Sequence, residues 1–443
     1  MSNALPAGFL AMPGIEGHAR AVLVGLSGGL DSIVLLHLLA MQPHIRDAGL
    51  RAIHVHHGLQ SAADDWAAHC RVVCDALDLP LQVVRVEVAR DAGTGLEAAA
   101  RSARRNALNE ALRDGEVLAL AHHRDDQAET FLLRALRASG PDGLAAMRPW
   151  QRFGAGWLWR PLLGVARTDL LAHARTHGLR WIEDPSNDDT AHDRNFLRHR
   201  VLPLLRERWP AADAALARSA ALAAEAGDLL IDDDASTLDA ARTPDPHTLS
   251  VTALAALPRA RRARVLRRWI DALGLPPLPA QGVAHIEGDL LAAAADASAA
   301  FEWQGCSVRR WRDLLHAGAR PDPLPSTWHV AWDGRTPLAL PGGGELRLEG
   351  ADGFETPLSA HARGGGERIQ LPGRAHSHAL KHVLQDLGVP PWQRERLPLL
   401  SDADGRVQAA GDLVVSAPFD AWLRARGARL AWRDAAPGAI PPA

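Results

Sequence analysis

The chain has 443 residues, a length that corresponds to about three domains. Hydrophobic residues make up 47% and charged residues 23%, as in ordinary globular proteins, and no apolar run approaches the roughly 20 residues of a membrane span. The net charge of −3 excludes a protein that is basic throughout, although it leaves local basic patches open. We therefore expect a globular chain that is not embedded in a membrane.

The cysteines and the N-terminus indicate a cytoplasmic protein. Residues 1–20 lack both the basic start and the long apolar stretch of a signal peptide. Cysteine occurs three times, and an odd number without close pairs is typical of a reducing compartment. Cys70 and Cys74 stand one helical turn apart, a spacing that favours packing in a core over zinc binding.

Residues 1–210 alternate between strand-like and helix-like segments. The strand-like segments are nearly continuous runs of apolar and β-branched residues, at 21–26, 51–57, 81–88 and 116–123. Helical periodicity follows each of them, at 30–42, 61–78, 97–113 and 125–138. This alternation predicts an α/β domain, a doubly wound parallel sheet with helices on both faces, in which ligands bind beyond the carboxyl ends of the strands.

Changes in composition predict two further domains. Residues 211–320 are rich in alanine and helical in pattern, so we predict a mostly helical middle domain, with a strand at 307–317. A proline-rich segment at 320–328 is predicted to be a linker. Residues 345–443 mix short strands, glycine turns and a helix at 376–387, which predicts a small α/β C-terminal domain.

The segment Ser27–Ser32, with the sequence SGGLDS, joins the first predicted strand to the first predicted helix. It matches neither the G-x-x-x-x-G-K-[ST] nor the G-x-G-x-x-G motif, but its backbone N–H groups can still face a phosphate at the helix N-terminus. Asp31 gains only about 0.3–1 kcal/mol from the helix dipole. Its repulsion from a phosphate 4 Å away is about 4 kcal/mol at an effective dielectric constant of 20. We therefore predict Mg²⁺ between Asp31 and the pyrophosphate part of a nucleotide.

A second cluster, AHHRDDQAET at 121–130, joins a strand end to a helix. His122 or His123, Asp126 and Glu129 recur at about one helical turn, so they are expected to line one face at the carboxyl edge of the sheet. Histidine exchanges protons near neutral pH, and carboxylates hold Mg²⁺ or position an amine. The pattern predicts a catalytic site beside the phosphate loop and leaves open which histidine takes part.

The motif SGGLDS resembles the signature of the N-type ATP pyrophosphatases (the PP-loop superfamily), enzymes that cleave ATP to AMP and pyrophosphate. Further segments, in the same order along the chain, resemble the tRNA(Ile)-lysidine synthetase family: His54–Cys70, Gly95–Arg105, Glu183–Leu205 and Leu380–Leu400. Two positions depart from that family's pattern. Arg105 and His192 stand where tyrosine is usual, and this chain contains no tyrosine.

The resemblance implies a ligation in two steps that consumes ATP. ATP adenylates the C2 oxygen of the wobble cytidine in tRNA(Ile) with a CAU anticodon, and free L-lysine then displaces AMP to give lysidine. The implied cofactors are ATP and Mg²⁺, and the implied partners are this tRNA and lysine. The order of substrate binding and the oligomeric state are left open, with a homodimer as one option.

Site residues are carried over from the matching motifs. The expected ATP-binding residues are Ser27, Gly28, Gly29, Leu30, Asp31, Ser32 and His54. The expected catalytic residues are Asp31, His123, Asp126, Glu129 and Arg194. The expected tRNA-binding residues are Arg101, Arg104, Arg198, Lys381, Arg394 and Arg396. Asp31 and Asp126 are expected to bind the metal. Glu129 or Asp126 is expected to hold the ammonium group of lysine, and His123 to take its proton.

Two basic segments lie outside the predicted nucleotide domain. Pro258–Trp269 holds six arginines, and a solvated helix face explains it as well as an RNA contact does. In the C-terminal domain, Trp392 is expected to anchor its segment by packing. Lys381, the only lysine of the chain, would then face outward with Arg394 and Arg396 and contact tRNA phosphates.

Other function classes fit the sequence less well. A tRNA 2-thiolation enzyme needs a reactive cysteine set, and no C-x-x-C occurs here. A glutamine-dependent synthetase needs a glutaminase nucleophile, which the N-terminus lacks. A non-catalytic nucleotide-sensing or RNA-binding module would not need Asp31, Asp126 and Glu129. Exchange of label between ATP and pyrophosphate separates such a module from an enzyme.

Overall fold

A computed structural model describes residues 10, 12, 20–58, 62–88, 96–292, 299–320 and 322–434. In this part the chain forms two compact units, with the boundary between Asp233 and Asp234. Some positions of the predicted scheme lie outside the described residues: 1–9, 435–443, and 59–61 and 95 of the segments that carry the resemblance. The three-domain division at 1–210, 211–320 and 345–443 stays a prediction.

A six-stranded sheet forms the centre of the first unit. Its strands are β1 Val22–Gly25, β2 Leu50–His56, β3 Leu81–Arg85, β4 Val117–Ala119, β5 Trp150–Phe153 and β6 Gly156–Trp159. They lie in the order β3-β2-β1-β4-β6-β5. Neighbouring strands are parallel except β5, which forms an antiparallel hairpin with β6.

Helices cover both faces of this sheet. The helices of this unit are α1 Leu30–Ala40, α2 Pro43–Gly49, α3 Ala63–Ala76, α4 Leu96–Ala111, α5 Arg124–Leu136, α6 Pro141–Leu144, α7 Arg167–Thr176, α8 Asp193–Phe196, α9 Leu202–Arg208 and α10 Ala212–Asp228. Val22 and Val24 of β1 pack with residues of α1, α3 and α7, whereas Leu23 packs with residues of α4 on the opposite face. The predicted α/β domain with a doubly wound parallel sheet is therefore confirmed.

The second unit begins with helices and a four-stranded antiparallel sheet. The helices are α11 Ile231–Ala241, which crosses the boundary between the units, α12 Val251–Ala256, α13 Arg259–Ala272 and α14 Ala280–His285. The strands are β7 Thr248–Ser250, β8 Ala300–Trp303, β9 Cys306–Trp311 and β10 Leu314–Ala319, in the order β7-β10-β9-β8. The predicted helices are present, together with a sheet that was not predicted.

The C-terminal part mixes short strands with three helices. A five-stranded sheet contains β11 His329–Trp332, β14 Leu358–His361, β17 Leu399–Ser401, β18 Val407–Ala410 and β19 Val414–Val415. A three-stranded sheet contains β12 Leu338–Ala339, β13 Gly344–Glu349 and β20 Arg429–Asp434, and β15 Arg368–Ile369 pairs with β16 His378–Ala379. The helices are α15 Leu380–Asp386, α16 Pro391–Arg394 and α17 Ala417–Arg426. Among the described helices, none has both the length and the apolar character needed to cross a membrane.

Two predicted elements have different bounds in the structure. The single strand predicted at 307–317 is a hairpin of β9 and β10, because the chain turns at Arg312, whose φ is 53°. The helix predicted at 376–387 begins only at Leu380, because His378 and Ala379 pair with β15. In both cases a tertiary contact or an unusual backbone angle overrides the local pattern.

The basic segment Pro258–Trp269 coincides with α13, which is amphipathic. Its apolar side is buried in the core of the second unit, with Trp269 only 1% exposed. Two of its arginines bind one buried carboxylate, since Arg264 Nη2 lies 2.6 Å and Arg268 Nε 3.3 Å from Asp234 Oδ2. At least these two arginines stabilise the fold, which supports the interpretation of the segment as a structural helix.

The proline-rich segment at 320–328 is packed against the C-terminal part and is not a free linker. Leu324 is 5% exposed, and its N–H donates to the carbonyl oxygen of Glu395 (3.2 Å). Arg396 is 1% exposed and donates to Asp434 Oδ1 and to the carbonyl oxygens of Asp322 and Gly343, each at 2.7 Å. The expectation that Arg396 faces outward and binds tRNA is therefore wrong. Its guanidinium is occupied by the protein itself.

Replacement of Arg396 by alanine should destabilise the second unit. Two carbonyl oxygens and the carboxylate of Asp434 lose their donor, which corresponds to about 3 kcal/mol when each group loses about 1 kcal/mol. Urea unfolding followed by circular dichroism measures this loss. The control is Arg406→Ala, since Arg406 is 75% exposed in its pair with Asp404 and should change the free energy of unfolding by less than about 0.5 kcal/mol. Equal stability of the two variants would contradict the role given to Arg396.

Candidate active site

The loop between β1 and α1 is held in one shape by its own residues. Gly28 has a φ of 88°, in the left-handed region that favours glycine, and a Cβ at this position would lie 3.3 Å from Cys70 Sγ. Ser32 Oγ donates to the carbonyl oxygen of Gly29 and also lies 3.0 Å from Ser27 Oγ. Gly29 is the N-cap residue of α1, so the loop leads directly into the helix N-terminus.

A cavity of about 660 Å³ lies beside this loop, at the carboxyl ends of β1 and β2; we refer to it as the first cavity. Five of the seven predicted ATP-binding residues line it: Ser27, Gly29, Leu30, Asp31 and His54. Its apolar walls include Ile53, Val55, Trp66 and Trp181, and its cationic groups are on Arg104, Arg167 and Arg198. Apolar walls with a few convergent charges suit a nucleotide, whose base is apolar on its faces and whose phosphates are anionic.

His54 stabilises the loop between β1 and α1 through a hydrogen bond to its backbone. Its side chain is buried, and Nδ1 lies 2.9 Å from the carbonyl oxygen of Leu26. A carbonyl can only accept, so Nδ1 carries the proton and donates to it. Burial is the main cause that lowers the pKa of His54, and the ring is therefore neutral near pH 7. The predicted contact of His54 with ATP stays a prediction.

A second cavity of about 500 Å³ adjoins the first and shares Ser27, Gly29, Asp31 and Arg104 with it. Its floor is apolar, with Leu118, Leu120, Phe153 and Leu158. Its rim is strongly basic, with Arg101, Arg104, Arg105, Arg160 and Arg194. Burial is the main cause that lowers the pKa of Arg160 to about 10, and the nearby Arg105 and Arg101 lower it further. The five arginines outnumber the two carboxylates, of Asp31 and Asp126, that line the same cavity. The second cavity therefore has the charge of a polyanion-binding site.

His122 is the histidine of the pair that faces the second cavity. Arg160 Nε donates to its Nδ1 (3.2 Å), so the remaining proton of the ring is on Nε2. Burial lowers the pKa of His122 to about 3, and it is a neutral hydrogen-bond donor at physiological pH. Such a ring is a poor base.

His123 lines neither cavity and is 1% exposed. It is the N-cap residue of α5, where its Nδ1 accepts from the N–H of Asp126 (3.4 Å). Its Nε2 lies 3.5 Å from both Asp31 Oδ2 and Asp126 Oδ2. Burial alone would lower the pKa of His123, but these carboxylates outweigh it and raise the pKa. The expectation that His123 takes the proton of lysine does not fit, because the ring is enclosed between two acids.

Glu129 is fully buried on α5 and lines neither cavity. Arg198 Nε donates to its Oε1 and Arg194 Nε to its Oε2, both at 2.7 Å. A fully buried carboxylate whose two oxygens already accept from two guanidinium groups is not open to an ammonium group from solvent. The expectation that Glu129 holds the lysine substrate is therefore not supported in this arrangement, and its role is to fix the two arginines.

Asp126 is bound in the same network. Its Oδ1 accepts from Arg194 (2.9 Å) and Arg198 (3.2 Å), and its Oδ2 accepts from the backbone N–H of His123 (3.0 Å). Burial would raise the pKa of Asp126, but His123 and Arg194 outweigh it and lower the pKa to about 2. Asp126 lines the second cavity as a permanently ionised group.

The segment that carries the two arginines has an unusual helix. A π-helical turn, Leu197–Val201, joins α8 to α9 and includes Arg198. Arg194 lies one turn earlier, and both guanidinium groups reach the same carboxylate of α5. Asn195 fixes the start of the segment, since its Nδ2 donates to the carbonyl oxygens of Ser186 and Asp189. Single π-helical turns are frequent at functional sites, where they change the direction of a side chain.

The residues present fit Mg²⁺ at Asp31 better than at Asp126. Asp31 Oδ1 is buried and accepts no hydrogen bond among the described residues, with Arg167 Nε 4.0 Å away. Both oxygens of Asp126 are already occupied. No group of three His, Cys, Asp or Glu side chains in the described part of the chain is arranged to hold a metal ion. Mg²⁺ commonly binds through one carboxylate and substrate phosphates, so Asp31 alone suffices as the protein ligand.

Comparison with known families finds three matches along the chain. A PP-loop domain matches residues 10–205, a TilS substrate binding domain matches 249–316, and a TilS substrate C-terminal domain matches 358–432. The tRNA(Ile)-lysidine synthase of Xanthomonas axonopodis pv. citri (strain 306) is 60% identical over 94% of this chain and 94% of its own length. The chain belongs to the tRNA(Ile)-lysidine synthase family.

A more distant sequence relative agrees with this membership. The tRNA(Ile)-lysidine synthase of Escherichia coli O157:H7 is 42% identical over 89% of this chain and 93% of its own length. Among solved structures, the U34-tRNA thiolase NcsA from Methanococcus maripaludis is 21% identical over 46% of this chain and 72% of that chain, with a TM-score of 0.38. The membership in the tRNA(Ile)-lysidine synthase family therefore rests on the sequence matches.

The predicted tRNA-binding residues of this family member fall into two groups. Arg101 and Arg104 line the second cavity and Arg198 lines the first, all in the first unit. Lys381 and Arg394 belong to the second unit, where Lys381 is exposed on α15 and Arg394 is half-buried. The structure adds residues of the second cavity that were not predicted: Arg105, Phe153 and Arg160. Arg105 repeats the spacing of Arg101 on α4, whereas Arg160 carries no signal in the sequence.

Replacement of Glu129 by glutamine should inactivate the enzyme without removing a group from either cavity. The neutral amide cannot hold two guanidinium groups, and a misplacement of Arg194 and Arg198 by about 1 Å lowers turnover by about 100-fold. The measurement is turnover at a temperature where circular dichroism shows the variant to be folded. Glu110→Gln, on the exposed side of α4, is the control and should keep full activity. Full activity of a folded Glu129→Gln variant would show that the pairing is dispensable.

Proposed function

We propose that this chain joins lysine to C2 of the wobble cytidine of tRNA(Ile) with a CAU anticodon, using ATP and releasing AMP and pyrophosphate. The observation that carries the proposal is the pair of adjoining cavities that share Ser27, Gly29 and Asp31. A reaction that adenylates an RNA base needs a nucleotide site and a base site that meet at the transferred phosphorus. The name of the relatives, tRNA(Ile)-lysidine synthase, supports the same reaction.

The first cavity is the proposed ATP site. The N-terminus of α1 and the loop before it offer backbone N–H groups to the phosphates, and Trp66 and Trp181 offer apolar surface to the base. Mg²⁺, held by Asp31, would neutralise the charge that develops on pyrophosphate as it leaves. Arg198 lines this cavity while Glu129 fixes its guanidinium, so it presents an oriented cation to the phosphates.

The second cavity is the proposed cytidine site. A base that is taken out of its stack needs an apolar surface, which Phe153 and the neighbouring leucines supply. The phosphates on either side of that base need cations, which Arg101, Arg104 and Arg105 supply at the rim. His122 offers an N–H without adding a charge, because its Nδ1 is bound to Arg160.

The chemistry divides between the two cavities. The C2 oxygen of cytidine attacks the α-phosphorus of ATP, and pyrophosphate leaves; this converts a poor leaving group into a good one. The amine of lysine, after losing one proton, then attacks C2, and AMP leaves with the C2 oxygen. Arg104 lines both cavities, so it remains beside the phosphate that passes from ATP to cytidine.

The second unit is proposed to hold the body of the tRNA. Lys381 is exposed on α15 and available for a phosphate. Trp392 anchors the neighbouring α16, since its ring stacks on His316 with 4.5 Å between ring centroids. We propose that the enzyme acts in the cytoplasm, where its tRNA substrate is found. A homodimer stays a prediction.

The rival activity, thiolation of tRNA, lacks its reactive group. Cys70, Cys74 and Cys306 are all buried and free. Burial raises the pKa of Cys70 to about 12 and the pKa values of Cys74 and Cys306 to about 11. A thiol with such a pKa is not a nucleophile at neutral pH, which favours ligation of lysine over transfer of sulfur.

With ATP, Mg²⁺, lysine and tRNA(Ile), the protein should release AMP and pyrophosphate in equal amounts, and incorporate labelled lysine into a transcript with a CAU anticodon. The reason is that the SGGLDS loop replaces a Walker loop, so the bond broken in ATP is between the α- and β-phosphates. Thin-layer chromatography of labelled ATP identifies the product. A transcript with a CAC anticodon is the control substrate. ADP as the stoichiometric product would exclude the proposed reaction.

Asp31→Asn should lower turnover by at least about 1000-fold, because an amide neither neutralises nor orders the cation beside the pyrophosphate. The affinity for tRNA(Ile), measured by filter binding, should stay within about twofold of wild type. Asp47→Asn, at an exposed position of α2, is the matched control and should keep both properties. An active Asp31→Asn enzyme would reduce Asp31 to a residue that only interacts with the helix dipole.

A further inference from the structure

A small basic cavity lies in the second unit, beside α16 and the connection that follows β14. Its volume is about 450 Å³, and we call it the arginine notch. Three parts of the chain line it: Pro323 and Leu324, Arg363 to Gly365, and Pro391, Arg394 and Glu395. Two arginine side chains are thus surrounded by three segments: the proline-rich segment, the β14–β15 connection, and α16.

Both arginines keep buried N–H groups without an acceptor among the described residues. These groups are on Arg363 Nε and Arg394 Nη2. Arg394 Nε donates to the carbonyl oxygen of Val389 (2.6 Å), which fixes the direction of its guanidinium. Arg363 Nη2 lies 3.9 Å from Glu367 Oε2, too far for a hydrogen bond. Arg394 is therefore held in place by its own backbone contact, and both side chains keep an unused N–H donor.

The acids near the notch offset its charge only in part, since Glu367 reaches Arg363 at 3.9 Å and both acids also bind other groups. Glu395 lies 3.1 Å from Arg309, and Glu367 Oε1 accepts from the N–H groups of Gly364 and Gly365. Burial lowers the pKa of Arg394, and the positive charges of Arg363 and Arg312 lower it further. Cations are thus close enough to repel one another in a half-buried place, where a buried donor without an acceptor is also unfavourable.

We propose that the arginine notch binds one phosphate group of the tRNA backbone, with Arg363 and Arg394 as its ligands. A phosphodiester supplies a negative charge, which offsets the repulsion between the arginines. It also supplies two oxygen atoms that can accept hydrogen bonds from the unused N–H groups. The cavity volume accommodates one phosphate with part of its sugar. The inference rests on the proposed function, because it takes the polyanion to be the tRNA substrate. Among the tRNA-binding residues expected from the sequence, Arg394 is kept and the buried Arg396 is left out. Arg363, which the sequence does not predict, is added.

The test is filter binding of a tRNA(Ile) transcript to full-length Arg363→Gln at several salt concentrations. The variant should bind about 3- to 10-fold more weakly, and its plot of log K against log salt should have a slope smaller by about one, since one phosphate contact is lost. Arg347→Gln is the control, because Arg347 lies on β13 in a pair with Glu345 and lines no part of the notch. Urea unfolding of both variants separates a lost contact from a lost fold.

Three outcomes are distinguishable. If Arg363→Gln is folded and keeps the wild-type salt slope, the notch does not bind RNA, whether or not the wild-type enzyme is active. If inorganic phosphate, against chloride at equal ionic strength, raises the melting temperature of wild type but not of Arg363→Gln while the RNA slope is unchanged, the notch takes a free anion and the proposal is overturned. If the wild-type chain neither binds tRNA(Ile) nor releases AMP, the proposed function itself fails.

Discussion

A carboxylate that water cannot reach is unfavourable unless cations pack against it, and Glu129 is such a group. Arg194 and Arg198 meet this requirement, so α5 and the segment from α8 to α9 must pack together before the site exists. Contacts then lead outward from Arg194 through Asp126 and His123 to Asp31, each within 3.5 Å of the next. The position of the proposed metal ligand thus depends on a buried acid that touches no substrate.

This network contributes side chains to both cavities. Arg198 extends from it into the first cavity, and Arg194 and Asp126 extend into the second. One connected set of charged side chains therefore positions groups in both proposed substrate sites. A displacement of these side chains would change both sites. The net charge of −3 conceals this arrangement, because acids elsewhere on the chain balance the arginines gathered at the rim.

The sequence predicts those parts of the molecule that follow from local pattern. Gly28 and Gly29 between a buried strand and a periodic helix place the phosphate loop, and alternation of strands and helices places the sheet. It cannot predict the burial of Arg396, because the acceptors at Asp322, Gly343 and Asp434 are distant in sequence. Arg160 is also not predicted from the sequence, because only the order of the strands in the sheet brings it to the site. The hairpin of β9 and β10 is missed because Arg312, and not glycine or asparagine, takes the positive φ.

Trp66 and Trp181 on the walls of the first cavity have a further consequence. The chain contains 14 tryptophans and no tyrosine, so its near-ultraviolet absorption and emission come from indole without energy transfer from phenol. In the proposed ATP complex, the nucleotide would cover these two half-buried indoles and change their emission. The unlabelled protein therefore carries its own optical reporter of nucleotide occupancy.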